Sequence, residues 1–243
     1  MLNRLLLTGV LSGLVVGVLV TLIHLVLVTP IILEAETYEH KAAATAAPSA
    51  LQSGASSQHE HSTEAWSPED GWERSLYTLA ANLVMAVGFG LILAAGFTLA
   101  GGTISLGAGA LWGLGGYLSF SFLPALGLPP ELPGAAATDL LDRQIWWTAT
   151  ASASVAGLAL IAFARRWSWR ALGLVLLVAP HVFGAPHAPS GEAGAVPPEL
   201  AAHFVVATMF MNAAMWVALG VAGAYLFERF AHFMRGTVVD IRA

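Results

Sequence analysis

Six long apolar stretches, separated by polar segments, dominate the hydropathy pattern of this chain. They are Leu5–Leu33, Leu76–Ala100, Ile104–Leu126, Ile145–Ala164, Ala171–Ala185 and Leu200–Phe227. Because a helix rises about 1.5 Å per residue, roughly 20 apolar residues cross a hydrocarbon core of ~30 Å. The pattern therefore predicts an all-α integral membrane protein, a bundle of six transmembrane helices, or of five if the short fifth stretch does not cross.

The fifth stretch is shorter than the others and contains Pro180 beside His181. A proline inside a helix removes a backbone N–H and bends the helix. Two interpretations follow: a bent span that borrows Trp167–Arg170, or a re-entrant segment. We predict a single polytopic membrane domain over residues 1–243. If the fifth stretch is a bent span, the predicted spans are at about 5–33, 76–100, 104–126, 145–164, 169–186 and 200–227.

Residues 34–75, between the first two spans, are predicted to form an acidic, histidine-containing outer loop. Carboxylates cluster where the chain leaves the first span and again before the second. The middle of the loop, Lys41–Ser62, is rich in Ala, Ser and Gln and has no apolar periodicity, so we expect the loop to be partly disordered. His40, His59 and His61 lie among its acids.

Basic residues fix the predicted orientation, because Lys and Arg remain preferentially on the cytoplasmic side. With Arg4 inside, six spans leave Glu228 and Asp240 as the only acids on the inner side, and both termini are cytoplasmic. The other basic residues of that side are Arg165, Arg166, Arg170, Arg229, Arg235 and Arg242. Five spans would move the C-terminal arginines outside and remove this segregation of charge.

Composition excludes several classes of function. Charged residues are 10% of the chain and mean hydropathy is +0.72, whereas a soluble domain carries about 25% charged residues. We therefore expect the lipid bilayer to surround this chain. No run of Lys and Arg predicts a nucleic-acid partner. The chain has no cysteine and lacks the phosphate-loop, HExxH and GxSxG signatures, so we expect neither an enzyme nor an organic cofactor.

Small and polar residues inside the spans have two interpretations each. Gly9, Gly13 and Gly17 share one helix stripe, which favours packing within the chain, with a seam between copies of a homo-oligomer as the alternative. Asn82 and Asn212 lie well inside spans. Each is equally consistent with a hydrogen bond between helices and with a place on a transport path.

The predicted outer side supplies the ligands that first-row divalent metal ions prefer, imidazole and carboxylate. His181 is the strongest candidate, because it lies in an apolar stretch beside a proline that frees backbone carbonyls; a neutral histidine bonded to a neighbouring helix is the alternative. Glu199 and His203 share a helix face through their i,i+4 spacing. The full set of candidate metal ligands is His181, Glu34, Glu36, Glu39, His187, Glu199, His203 and Glu131.

Several segments of the chain resemble the predicted cobalt transporter subunit CbtA family. The similarity extends over almost the whole sequence and is carried by long strings that flank the spans. They are Leu33–Glu39, Asp70–Asn82, Gly127–Gly134, Arg143–Trp147 and Ala179–Pro186.

The resemblance implies a multi-pass protein of the bacterial inner (cytoplasmic) membrane, linked to cobalt supply for cobalamin synthesis. It further implies a small one-span, histidine-rich partner subunit, CbtB. The family motifs include Glu34, Glu36, Glu39, Glu131 and His181 as positions for a metal ligand. Co²⁺ is the implied cargo, with Ni²⁺ as an alternative.

Two hypotheses result. The first is a membrane subunit of a cobalt uptake transporter that takes the ion from an acidic, histidine-bearing outer face to the cytoplasm. The second is a non-transporting scaffold or assembly subunit that packs against another membrane complex. They differ in whether the polar groups inside the bundle surround an aqueous cavity.

Overall fold

The computed structural model describes the backbone of residues 1–51, 68–135, 138–187 and 194–240, and the side chains of all of these except 42–51 and 232–240. Regular structure within these ranges is entirely helical, which confirms the predicted all-α membrane fold. The helices are α1 (Leu2–Ile23), α2 (Thr29–Leu51), α3 (Trp72–Ala100), α4 (Leu106–Tyr117), α5 (Leu123–Ala125), α6 (Leu140–Phe163), α7 (Trp167–Phe183) and α8 (Pro198–Asp240). Two π-helical segments, His24–Val28 and Leu118–Phe122, join α1 to α2 and α4 to α5.

Five helical stretches are long and apolar enough to cross a membrane. They are Leu2–Lys41, Trp72–Ala100, Leu106–Ala125, Leu140–Phe163 and Pro198–Ala231. The remaining apolar helix is α7, which corresponds to the fifth apolar stretch of the sequence. It has 17 residues and is therefore roughly 25 Å long. Its start at Trp167 includes the residues that the bent-span interpretation required.

Glycines bring α1 and α3 into backbone contact. A Cβ atom added to Gly9, Gly13 or Gly17 would come within 3 Å of the backbone of α3, at Leu91, Val87 or Leu83 respectively. Only glycine permits so close an approach, which gains dispersion energy between helices in lipid. The stripe therefore packs within the chain, as the favoured interpretation predicted.

The centre of the bundle is built around α4 and α8. Gly109 of α4 lies against Gly220 of α8, again at a distance that excludes a Cβ atom. The fully buried Trp216 stacks on Phe120, with ring centroids 5.5 Å apart and an interplanar angle of 12°. Phe89 of α3 contacts the same indole at 4.4 Å, so three helices meet at Trp216.

α6 and α7 form an antiparallel hairpin. A Cβ atom on Gly157 or Gly173 would lie 2.7 or 2.6 Å from the carbonyl oxygen of the other. Near the start of α7, Arg170 Nε donates a hydrogen bond to the Ala164 carbonyl at 3.0 Å, and near its end the His181 ring lies 5.9 Å from that of Trp146. α7 thus follows α6 from the Arg170 end of the hairpin to the His181 end, and whether it crosses the membrane as a bent span stays a prediction.

Contacts between distant segments define two ends of the bundle. At the Arg4 end, Arg4 Nε donates to the Phe227 carbonyl at 2.7 Å, and the Glu228 carboxylate accepts from the Ile104 N–H at 2.9 Å. At the Glu36 end, Ala195 N–H donates to the Gly134 carbonyl at 3.1 Å. The Arg4 end holds the start of α1 and the predicted inner part of α8.

The first helical stretch extends further than predicted. It continues beyond residue 33 to Leu51, so the predicted loop over 34–75 is shorter by that length. Alanines at five of the positions 42–47 explain the extension, because alanine has the highest intrinsic helix propensity. Residues 52–67, including His59 and His61, lie outside the described residues.

Candidate metal site and polar cleft

The carboxylate of Glu36 is bound by an arginine. Its two oxygens accept hydrogen bonds from Arg74 Nη1 at 2.7 Å and from Nη2 at 3.2 Å. Arg74 also pairs with Asp70 at 2.9 Å. This bidentate geometry is the strong form of an ion pair, and it links α2 to the start of α3.

Glu131 is also paired. Arg143 Nη2 of α6 lies 2.8 Å from Glu131 Oε2, and both side chains are about a quarter exposed. Glu131 belongs to the connection between α5 and α6, which continues to the buried Leu132 and to Gly134. Two of the predicted metal ligands therefore have an arginine partner in this structure.

His181 lies in the last turn of α7, packed edge-on against the indole of Trp146. Its Nε2 and the Trp146 Nε1 are both buried, and neither has a hydrogen-bond partner among the described residues. An unpaired buried polar nitrogen costs about 1–3 kcal/mol. The imidazole thus packs against Trp146 and leaves its buried Nε2 without a partner among the described residues.

The remaining predicted ligands are exposed side chains. Glu39 packs beside Gly134, while Glu199 and His203 lie on the first turns of α8. The exposed candidates are Glu34, Glu39, His187, Glu199 and His203. The described part of the chain contains no group of three or more His, Asp or Glu side chains close enough to hold a metal ion.

A cleft that sequence reasoning did not identify opens at the Glu36 end. It lies between the α4–α5 stretch, α6 and α8, and has a volume of about 660 Å³. Its polar lining residues are Ser121, Arg143, Gln144, Thr148 and Asn212. One face of α6 carries four of the lining residues at i, i+1, i+4 and i+5 spacing, namely Arg143, Gln144, Trp147 and Thr148. This spacing was the sequence signal from which the cleft could have been predicted.

The structure separates the two asparagines that the sequence left equivalent. Asn82 Nδ2 donates to Thr21 Oγ1 at 3.2 Å, which is a hydrogen bond between α3 and α1. Asn212 faces the cleft, and its amide makes no hydrogen bond with the described residues. Asn82 therefore stabilises helix packing, whereas Asn212 presents a polar group to an open space.

Comparison with known proteins identified one family. The profile of the family described as "Probable cobalt transporter subunit (CbtA)" matches residues 2–228. No curated protein matches the chain, and no solved structure matches it.

Proposed function

The chain belongs to the probable cobalt transporter subunit (CbtA) family, and from this we propose that it takes up Co²⁺ from the outer face of a bacterial inner membrane to the cytoplasm. The observation that carries the proposal is the family match, which covers all six apolar helices through residue 228. Membership makes the chain a multi-pass membrane protein and a subunit of a cobalt transporter. The direction of transport and the location in a bacterial inner membrane are the proposed parts.

The proposed orientation places both termini in the cytoplasm and the Glu36 end outside. It is supported by the arginines at the Arg4 end, because basic residues remain inside. The proposed partner is a small one-span, histidine-rich subunit, CbtB, and a homo-oligomer is compatible with the exposed helix faces. Ni²⁺ is a second proposed cargo, because imidazole and carboxylate ligands suit both ions.

The proposed metal site centres on His181. The carboxylates of Glu34, Glu36 and Glu39 raise the local cation concentration around it, and Glu131, His187, Glu199 and His203 are further proposed ligands at the same end. Glu36 and Glu131 would have to exchange an arginine for the metal. The buried Nε2 of His181 has no hydrogen-bond partner among the described residues and needs no such exchange. This supports His181 as the first candidate among the proposed ligands.

The test is cobalt accumulation in cells that express the chain with its partner subunit. We expect His181→Ala to lower accumulation by about tenfold or more, the range for damaged metal sites. Trp146→Phe is the matched control, because it keeps an aromatic ring beside His181 but replaces the indole, with its N–H, by a smaller phenyl group. Normal accumulation in His181→Ala, with membrane insertion unchanged, would exclude His181 as a ligand.

A further inference from the structure

We propose that the cleft lined by Ser121, Thr148 and Asn212 is filled with water and carries a hydrated divalent cation from the Glu36 end to the middle of the bundle. The inference rests on the proposed transport function and adds a route to it. The route is distinct from the His181 site, because His181 is not among the residues that line the cleft.

The first argument is the cost of polar groups in hydrocarbon. Polar side chains inside membrane spans face either protein or a water-filled space, because lipid cannot pair with them. The Asn212 amide offers two donors and an acceptor, yet it makes no hydrogen bond with the described residues. Water in the cleft satisfies these groups, and a hydrocarbon chain does not.

The second argument is size. One water molecule occupies about 30 Å³ of liquid, so an ion with six waters needs roughly 200 Å³. The cleft volume of about 660 Å³ accommodates such a complex. The cation can therefore enter the cleft with its inner hydration shell intact.

The third argument is the kind of ligand that the cleft offers. Ser121, Thr148, Gln144 and Asn212 supply neutral oxygens. Phe120 and Ser121 belong to the π-helical segment that lines the cleft. Several weak oxygen contacts suit conduction, which requires that an ion bind and then leave.

The fourth argument is depth. Asn212 lies about 18 Å along α8 from Leu200 at the Glu36 end and about 24 Å from Glu228 at the Arg4 end, at ~1.5 Å per residue. The cleft thus extends from the Glu131–Arg143 pair, where Arg143 forms part of its lining, to the middle of the bundle. A cation at Asn212 has crossed about half of the hydrocarbon.

The chain has no cysteine, which permits a direct test with single introduced thiols in liposomes that contain the whole chain. Asn212→Cys and Thr148→Cys should react with a membrane-impermeant cationic methanethiosulfonate. Val206→Cys is the matched control on α8. Val206 is 69% exposed on the perimeter of the bundle and should face lipid, so its thiol should not react. Reaction after denaturation confirms that each thiol is intact.

Co²⁺ at ten times its Kd should slow the reaction at Asn212→Cys by about tenfold, the ratio expected for simple occupancy. Ala195→Cys, exposed in the segment before α8, controls for metal binding to a free thiol and should react at an unchanged rate. Protection at Asn212→Cys and Thr148→Cys, but not at Ala195→Cys, supports the proposal.

Two results overturn the proposal and leave the transport function standing. If neither cleft thiol reacts while cobalt uptake continues, the cleft is filled by lipid or by a partner helix. If both react but Co²⁺ gives no protection, the cleft is wet and the cation uses another route. Loss of transport in the parent chain would instead contradict the proposed function.

Discussion

Two carboxylates that the sequence nominated as metal ligands, Glu36 and Glu131, each bind an arginine. Neither arginine was predictable as their partner, because each pair joins two separate segments of the chain, 38 residues apart for Glu36 and Arg74 and 12 for Glu131 and Arg143. A carboxylate that is paired with arginine can have one of two roles. It can leave the arginine and bind the metal, or it can stay paired and neutralise the arginine's charge. For Glu131 the second role matters, because Arg143 lines the cleft that we propose as the cation route.

Charge substitution separates these roles. Glu131→Gln leaves the Arg143 charge uncompensated, and a unit charge about 10 Å from a divalent ion raises its energy by roughly 1–3 kcal/mol for effective dielectric constants of ~80 to ~20. Cobalt uptake should therefore fall by between about fivefold and a hundredfold. Adding Arg143→Gln should restore most of it, as measured by initial uptake rates.

A ligand role for Glu131 gives a different result, because the double variant would remain as inactive as Glu131→Gln. The Glu36→Gln, Arg74→Gln pair is the matched comparison. It removes an ion pair of the same kind at the same end, but neither residue lines the cleft.

At the scale of the elements, glycine spacing shows which face of a helix makes a close contact. The stripe Gly9, Gly13, Gly17 was readable from the sequence, but its partner surface on α3 was not, because that surface offers ordinary side chains at Leu83, Val87 and Leu91. Four-residue spacing thus predicts a close contact without identifying the other helix.

The stability of that contact can be measured. Gly13→Ala would place a Cβ atom against the backbone of Val87, so we expect a loss of about 1–3 kcal/mol, the usual cost of overpacking. Gly88→Ala is the matched control on α3, where nothing lies within 4 Å. Thermal unfolding in detergent should show a lower midpoint for Gly13→Ala alone; equal midpoints would mean that the two helices do not touch there.

The π-helical segments were not predicted, although their cause is present in the sequence. His24–Val28 precedes Pro30, and Leu118–Phe122 precedes Pro124. A proline ring clashes with the carbonyl four residues earlier, at Val26 and Phe120, and both residues lie inside the π segments. The register shift relieves the clash, and in the second case it occurs beside the cleft.

At the scale of the whole molecule, apolar stretches and their lengths were sufficient to predict the fold, because hydrocarbon admits little but helices. The contacts of Arg4 with Phe227 and of Glu39 with Gly134 lie at opposite ends of the bundle, and which end faces the cytoplasm stays a prediction from the charge pattern. The cleft was not predictable. Its polar residues come from separate helices, and only packing brings Thr148 and Asn212 to one cavity.

The most direct test of the account is Co²⁺ influx into liposomes that contain the purified chain and its one-span partner. We predict influx that saturates with cobalt concentration and that falls by about tenfold or more in His181→Ala. An intact, inserted complex that admits no Co²⁺ would contradict the transport function and favour the scaffold hypothesis.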